Sequence, residues 1–270
     1  MRRARVGCSG WNYAHWRGGV FYPERMPARS WLSHYATRFG TVELNTTFYR
    51  LPPPTAAGRW LDETPDDFVF AVKVSRFATH VKRLAEAGEV LGRLLDRIAP
   101  LSGSTKLGPL LWQLPPTFRR DDDRLAAALS ELPVSLRHAF EFRHASWFTP
   151  DVLELLRSHN AALVIADRPE IHAFQTHELT ADFAYVRFHH GSRGRRGNYS
   201  DAELEEWARR IADWRTRGDV FAYFNNDWEG FAPANAHELV RLLDGVFAER
   251  RSAVGVNASD EGESEWRTPS

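Results

Sequence analysis

The sequence contains a single cysteine, Cys8, in 270 residues. That excludes an internal disulfide and any zinc site built from several thiolates. A charge excess is missing too: 35 Lys and Arg balance 35 Asp and Glu, so no global field draws the chain to nucleic acid or to an acidic membrane surface. No apolar run approaches the roughly 18 residues needed to cross a bilayer. The opening Met-Arg-Arg-Ala-Arg-Val has charge but no apolar h-region, which makes a cytoplasmic location the expectation. The segment after the first apolar run reads Ser9-Gly10-Trp11-Asn12-Tyr13, without the G-x-G-x-x-G turn of a dinucleotide fold.

What is present is a rhythm. With 43% hydrophobic residues, the chain alternates short β-like runs with longer helical stretches. The strands read as Ala4–Cys8, Thr41–Asn45, Phe68–Ser75, Leu107–Leu114, Arg137–Phe142, Ala161–Asp167, Phe183–His189 and Asp219–Asn225. Helical patterns cover Ser30–Arg38, Thr55–Glu63, Ala87–Ile98, Asp121–Glu131, Pro150–His159, Ser200–Arg217 and Asn235–Phe247, and the link between the sixth and seventh strands is only weakly helical. Ser200 with Glu203 forms a capping box, and Thr149 before Pro150 gives an N-cap with proline at the first helical position. Eight β/α units imply parallel strands and closure. The expectation is an α/β fold, one (β/α)8 barrel over residues 1–250, preferred over an open doubly wound sheet. Residues 251–270, rich in Ser, Gly and Glu, read as a disordered tail.

Strand parity then sorts side chains. Phe68, Phe70, Val72 and Val74 make one face of the third strand and Ala71, Lys73 and Ser75 the other. Val42 and Leu44 oppose Glu43 and Asn45; Phe140 and Phe142 oppose Glu141 and Arg143; Val186 and Phe188 oppose Tyr185, Arg187 and His189. Gln113, Asp167 and Asn225 end the fourth, sixth and eighth strands. Barrel lumens are mostly branched apolar residues, and barrel chemistry sits at the C-terminal mouth, so this polar set is either a site or a salt-bridge network fixing strand register.

At this point the residues match a known pattern. Ser9-Gly10-Trp11, Trp16-Arg17, Phe21-Tyr22-Pro23, Glu43-Leu44-Asn45, Phe48-Tyr49, Lys73-Val74-Ser75 and Thr79-His80 come first. Gln113-Leu114-Pro115-Pro116, Phe140-Glu141-Phe142-Arg143-His144, Ser146-Trp147 and Asn225-Asn226-Asp227 follow. Over about residues 5–247 the chain resembles the bacterial and archaeal DUF72, or YecE-like, family. The resemblance implies a TIM barrel and brings no established reaction with it. Cys8 stands where the family pattern leads us to expect Thr.

The chemistry expected at the mouth is metal-free and needs no cofactor. Lys73, Arg143 and Arg187 would hold an anionic or polyhydroxylated small molecule, Glu43 or Glu141 would act as general base, and His189 would carry a proton. Asp167 joins the catalytic candidates; Trp11, Asn45, Tyr49, Gln113 and Asn225 join the binding ones. The loop Gly191-Ser-Arg-Gly-Arg-Arg-Gly197 offers Gly191, Arg193, Gly194 and Gly197 for a phosphate, ahead of the helix at Ser200. It lacks the Gly-Lys-Ser/Thr ending of a nucleotide P-loop.

Three other readings are open. Lys73 could form a Schiff base, which neighbouring carboxylates disfavour by keeping it protonated. Glu43, Glu141, Asp167 and His189 could bind a divalent metal, which interleaved cations disfavour. Arg193, Arg195 and Arg196, with Tyr199, Trp11, Tyr13, Trp16, Phe48 and Tyr49, could hold a nucleic acid, which zero net charge disfavours; the same aromatics serve equally well to pack loops. The sequence carries no signal of oligomeric state.

Overall fold

The computed structural model describes residues 2–171 and 176–260. Eight parallel strands run β1 (Ala4–Cys8), β2 (Thr41–Leu44), β3 (Val69–Lys73), β4 (Leu107–Gln113), β5 (His138–Glu141), β6 (Ala162–Asp167), β7 (Phe183–Phe188) and β8 (Asp219–Phe224). They pair in the order β1-β8-β7-β6-β5-β4-β3-β2, each helix returning the chain to the next strand of a nearly closed barrel.

The helices are α1 (Trp31–Ala36), α2 (Thr46–Tyr49), α3 (Ala56–Asp62), α4 (Ala87–Arg97), α5 (Ala99–Ser102), α6 (Asp122–Glu131), α7 (Pro150–Ser158), α8 (Asp201–Trp214) and α9 (Phe231–Asp260). The short α2 and α5, and a π-helical turn Phe77–Val81, have no counterpart in the sequence pattern. Between β6 and β7 the described residues hold a 3-10 turn, Pro169–Ile171, and no α-helix. The last helix continues to Asp260, ten residues into the stretch expected to be a tail; residues 261–270 of that tail lie outside the described residues. The α8 capping box forms as expected. Thr149 takes the N-cap place before Pro150, but its hydroxyl makes no capping bond.

One seam, between β1 and β2, has no backbone ladder. A tyrosine closes it. The Cys8 N–H donates to Tyr35 Oη at 2.7 Å and that hydroxyl donates to Thr41 O at 3.0 Å. Gly7 lets the strands approach, since a Cβ there would lie 2.3 Å from Thr41 O. The side chain of Asn45 donates across the same seam to Ser9 O at 3.2 Å.

Strand parity divides the interior in two. Phe68, Phe70, Val42, Leu44, Phe140, Val186 and Phe188 pack outward against the helices. Val69, Ala71, Leu111, Ala139, Val164, Phe183, Tyr185, Phe221 and Tyr223 fill the lumen. The middle of the lumen is thus apolar and aromatic, with the polar layer of the mouth above it and Arg137, paired with Asp219 at 2.9 Å, against Phe183 and Phe221 below.

Candidate functional site

The mouth is built around Arg187, which β7 carries inward beside the end of β2. Its guanidinium is bidentate to Glu43, with Nε to Oε2 at 2.9 Å and Nη2 to Oε1 at 2.7 Å. Its remaining nitrogen, Nη1, donates to Glu141 Oε2 at 2.5 Å. Tyr185 donates to Glu43 Oε2 at 2.7 Å, Ser9 donates to Glu43 Oε1, and Gln113 donates to Glu141 Oε2 at 2.9 Å. Arg143 closes the group from above, its Nε 3.0 Å from Glu141 Oε1. Glu43 and Glu141 are 0% exposed and Arg187 1%. A cluster this deep persists only if every charge is paired and hydrogen-bonded, and these are.

The pairing sets the acid–base character. Burial pushes both carboxyls up, but their partners together outweigh it: Arg187, Ser9 and Lys73 hold Glu43 below the usual carboxylate range, and Arg187, Arg143 and His189 hold Glu141 well below it. A carboxylate held so low is a weak base, so neither glutamate has the near-neutral pKa that proton transfer at pH 7 favours; their work is to fix Arg187.

His189 sits above them. Asn225 Nδ2 lies 3.0 Å from the ring's Nδ1, and the ring's Nε2 lies 3.5 Å from Arg187 Nη1 and 3.7 Å from Glu141 Oε1. Burial, helped by Arg187 and opposed by Glu141, lowers His189 to about 4, so the ring is neutral near pH 7.

Lys73 differs from its neighbours. Its side chain is buried and its Nζ lies 4.1 Å from the centre of the Phe48 ring. Burial first, then the Arg187 charge, lowers the amine to about 8 against the opposing pull of Glu43 and Glu141. That brings the Lys73 amine toward neutrality.

Three of the expected binding residues line a cleft of about 400 Å³ beside the cluster: Trp11, Asn45 and Tyr49, with Tyr13 and Trp60. Across the mouth His189 and Asn225 line a wider opening of about 620 Å³ with Asn226, Asp227 and Trp228. Trp11 meets Trp60 edge-on, and Tyr49, 79% exposed, presents a free face.

Two expectations need correcting. Asp167 shares the outward parity of Leu163 and Ile165 and lines a separate pocket with Arg193, Glu203 and Trp207, so it does not join Glu43 and Glu141. The phosphate reading of residues 191–197 also changes. The N–H groups of Ser192 and Arg193 donate to Glu203 Oε1 at 2.7 and 3.1 Å, and Ser200 donates to Oε2 from both N and Oγ. The anion of this loop is the chain's own carboxylate, which those donors hold at about 2 although burial opposes them. Gly191 and Gly194 are needed because a Cβ at either would lie about 2 Å from Asn198 O, and Gly197 takes φ +81°. Arg193 and Arg196 pair with Glu206 and Glu229 at 3.0 and 2.9 Å.

The suggested metal ligands do not converge either, because Arg187 bridges the two glutamates and Asp167 faces away. Among the described residues no three His, Cys, Asp or Glu side chains form a metal-holding group. Of the aromatics considered for base stacking, Trp16 is wholly buried against Tyr13, Phe21 and Tyr22 and packs loops. Sequence reasoning missed Ser9 and Tyr185 as parts of the cluster. Parity placed Tyr185 in the lumen, but nothing in the sequence says its hydroxyl reaches Glu43.

The comparisons agree with this architecture. A family described as "protein of unknown function DUF72" matches residues 5–255. The curated YunF of Bacillus subtilis is 26% identical over 88% of this chain and 94% of its own length, and YecE of Escherichia coli K12 is 27% identical over 87% and 90%. A DUF72 family protein from Thermotoga maritima superposes with a TM-score of 0.78 at 30% identity, covering 90% of this chain and 100% of that one. A chitinase domain from Pyrococcus furiosus shares only the fold, with a TM-score of 0.54 at 10% identity. No helix among the described residues is long and apolar enough to cross a membrane. With the barrel, the motifs at its mouth and a family match across nearly its whole length in agreement, this chain belongs to the DUF72 family.

Proposed function

We propose that the mouth of the barrel binds a small anionic, polyhydroxylated molecule, such as a sugar phosphate or sugar acid, and that the protein is an enzyme acting on it. The observation that carries this is Arg143: all of the Arg187 guanidinium is spent on the two buried carboxylates, whereas among the described residues Arg143 engages only Glu141, through Nε, with its side chain 23% exposed. Its two terminal nitrogens lie at the open side of the cluster, where an incoming anion would be held by charge-assisted hydrogen bonds. The adjoining cleft adds the faces of Trp11 and Tyr49 and the amide of Asn45, a combination that suits a sugar ring carrying hydroxyls. Lys73 then serves as the proton-transfer group and His189 as its neutral partner across the mouth, with the two glutamates positioning Arg187.

Calorimetric titration of the chain with glucose 6-phosphate, gluconate and glucose tests this. The two anions should bind and glucose should not, and Arg143→Gln should weaken anion binding by about 1.5–3 kcal/mol, the usual worth of a hydrogen bond to a charged group. Equal affinity for glucose and its phosphate, unchanged in Arg143→Gln, would end the reading.

A further inference from the structure

Lysine is scarce in this chain: 32 of the 35 basic residues are arginine, and the three lysines are Lys73, Lys82 and Lys106. Two of them have evident structural work. Lys82 pairs with Glu86 at 2.8 Å on the surface, and buried Lys106 donates to Leu61 O and Thr64 O at 2.9 and 2.8 Å. Lys73 has neither use. Its stem is buried and its amine rests on Phe48, and among the described residues Nζ has no hydrogen-bond or ion-pair partner. Elsewhere in the mouth fixed positive charge is supplied by Arg143 and Arg187. Arginine stays protonated throughout the range proteins work in, whereas a desolvated lysine beside other cations can lose its proton and become a nucleophile.

The surroundings meet that requirement. The charged and titratable groups around Lys73 are Arg187 on β7, Glu43 on β2, Glu141 and Arg143 at the end of β5, and Arg76 and His80 beyond β3. The carboxylates, which on sequence alone would keep the amine protonated, are both engaged by arginine: Glu43 by two nitrogens of Arg187, Glu141 by Arg187 and Arg143. His80 is neutral near pH 7, since burial and Arg76 lower it to about 4. Burial first, then the charges of Arg187 and Arg143, shifts Lys73 toward the free amine against the opposing pull of Glu43 and Glu141.

We propose that Lys73 is an imine-forming nucleophile and that the ligand of the mouth is a small anionic aldehyde or ketone; this rests on the anion-binding reading above. The amine lone pair forms a C–N bond as the carbonyl π pair moves to oxygen. The nitrogen then gives up its two protons and the oxygen departs with them as water, leaving a C=N bond and needing no oxidant or reductant. Arg143 holds the anionic end of the substrate while Lys73 holds the carbon. Once its nitrogen takes up a proton from solvent, the imine draws electrons from the adjacent carbon and so opens proton abstraction or carbon–carbon cleavage there.

The test uses the full chain and pyridoxal 5′-phosphate, an aldehyde that carries a phosphate, followed by borohydride reduction and peptide mass spectrometry. An amine at about 8 has on the order of a hundredfold more free base at pH 7 than a solvent-exposed lysine of ordinary pKa. The reduced adduct should therefore fall on Lys73 at least about tenfold more than on Lys82, with a labelling rate that rises as pH passes through about 8. Lys73→Arg and Lys73→Met should each abolish it, with melting temperatures recorded to show that the fold persists, and Lys82→Arg should change nothing. Inorganic phosphate, followed by thermal shift, separates the two readings. If phosphate stabilises the chain but label spreads equally over Lys82 and the amino terminus, the imine is overturned and the anion site stands. If uncharged glycolaldehyde labels Lys73 as selectively and phosphate has no effect, the imine stands and the preference for anions falls. If phosphate has no effect and Lys73 stays unlabelled, both are overturned.

Discussion

At the scale of single residues, Arg187 holds the mouth together, because all three nitrogens of its guanidinium are directed at two buried carboxylates. Replacing it by an apolar residue leaves those carboxylates facing each other, a situation that costs about 3–5 kcal/mol in buried ion pairs. The histidines make a different prediction. Trp112 Nε1 donates to His138 Nδ1 at 3.2 Å and the ring's other nitrogen reaches Pro133 O at 3.2 Å, so His138 is neutral with its proton on Nε2. Burial, opposed only by that backbone bond, lowers it to about 4, and His189 is lowered to about 4 as well. The unfolded chain, with histidines near the ordinary value of about 6.5, takes protons that the folded chain refuses. Stability from these rings is complete above about pH 6.5 and is lost progressively as pH falls to about 4. The contribution of Glu43 and Glu141 is lost only lower, as pH falls from the ordinary carboxylate range, about 4.3, through their depressed values. Melting temperature should accordingly decline between pH 6.5 and 4.5, and His138→Gln should flatten the decline. An identical slope in the variant would remove His138 from the account.

The same scale shows what a residue-level reading of the sequence can do. Glu43, Lys73, Glu141, Arg143 and Arg187 were legible as one cluster because each lies opposite a large apolar residue on its own strand. Asp167 was not, because β6 is apolar on both faces, Leu163 and Ile165 outward and Val164 and Ala166 inward. A strand buried on both sides has no alternation to reveal which way its last residue points.

Among elements, the β1–β2 seam is the place where the barrel depends on a side chain instead of a ladder. Tyr35→Phe removes the hydroxyl that Cys8 N–H and Thr41 O both use, leaving a buried donor and a buried acceptor unpaired. The expected loss is about 3 kcal/mol, measured as a lower urea midpoint at unchanged slope, with faster amide exchange at Cys8. A variant as stable as the parent would mean that water or strand movement replaces the tyrosine. The strands themselves were readable to within a residue or two, since apolar runs of period two leave little choice. The π-helical turn Phe77–Val81 and the short α2 and α5 were not, because four or five residues carry too little periodicity. The loop 191–197 falls between. Its glycines announced a tight turn, but the partner that satisfies its N–H groups, Glu203, is a helix residue whose role depends on where α8 begins.

For the whole molecule, charge balance sets solution behaviour. Equal numbers of acidic and basic residues and a sequence pI near 7.2 leave little net repulsion between copies near neutrality. Light scattering at increasing concentration should peak near pH 7 and fall by about pH 8.5 as net charge grows. A profile flat across that range would mean that patches, not net charge, govern association.

The sequence by itself determined the order and number of strands, the parallel barrel and the polar layer at its mouth, because strand parity and β/α alternation are local properties of the chain. Only the tertiary structure decided how the charges pair: that Arg187 takes both glutamates, that Glu203 fills the glycine loop and that Lys73 is left with an aromatic ring for company. Those outcomes depend on distances between strands far apart in the chain, which no local pattern encodes.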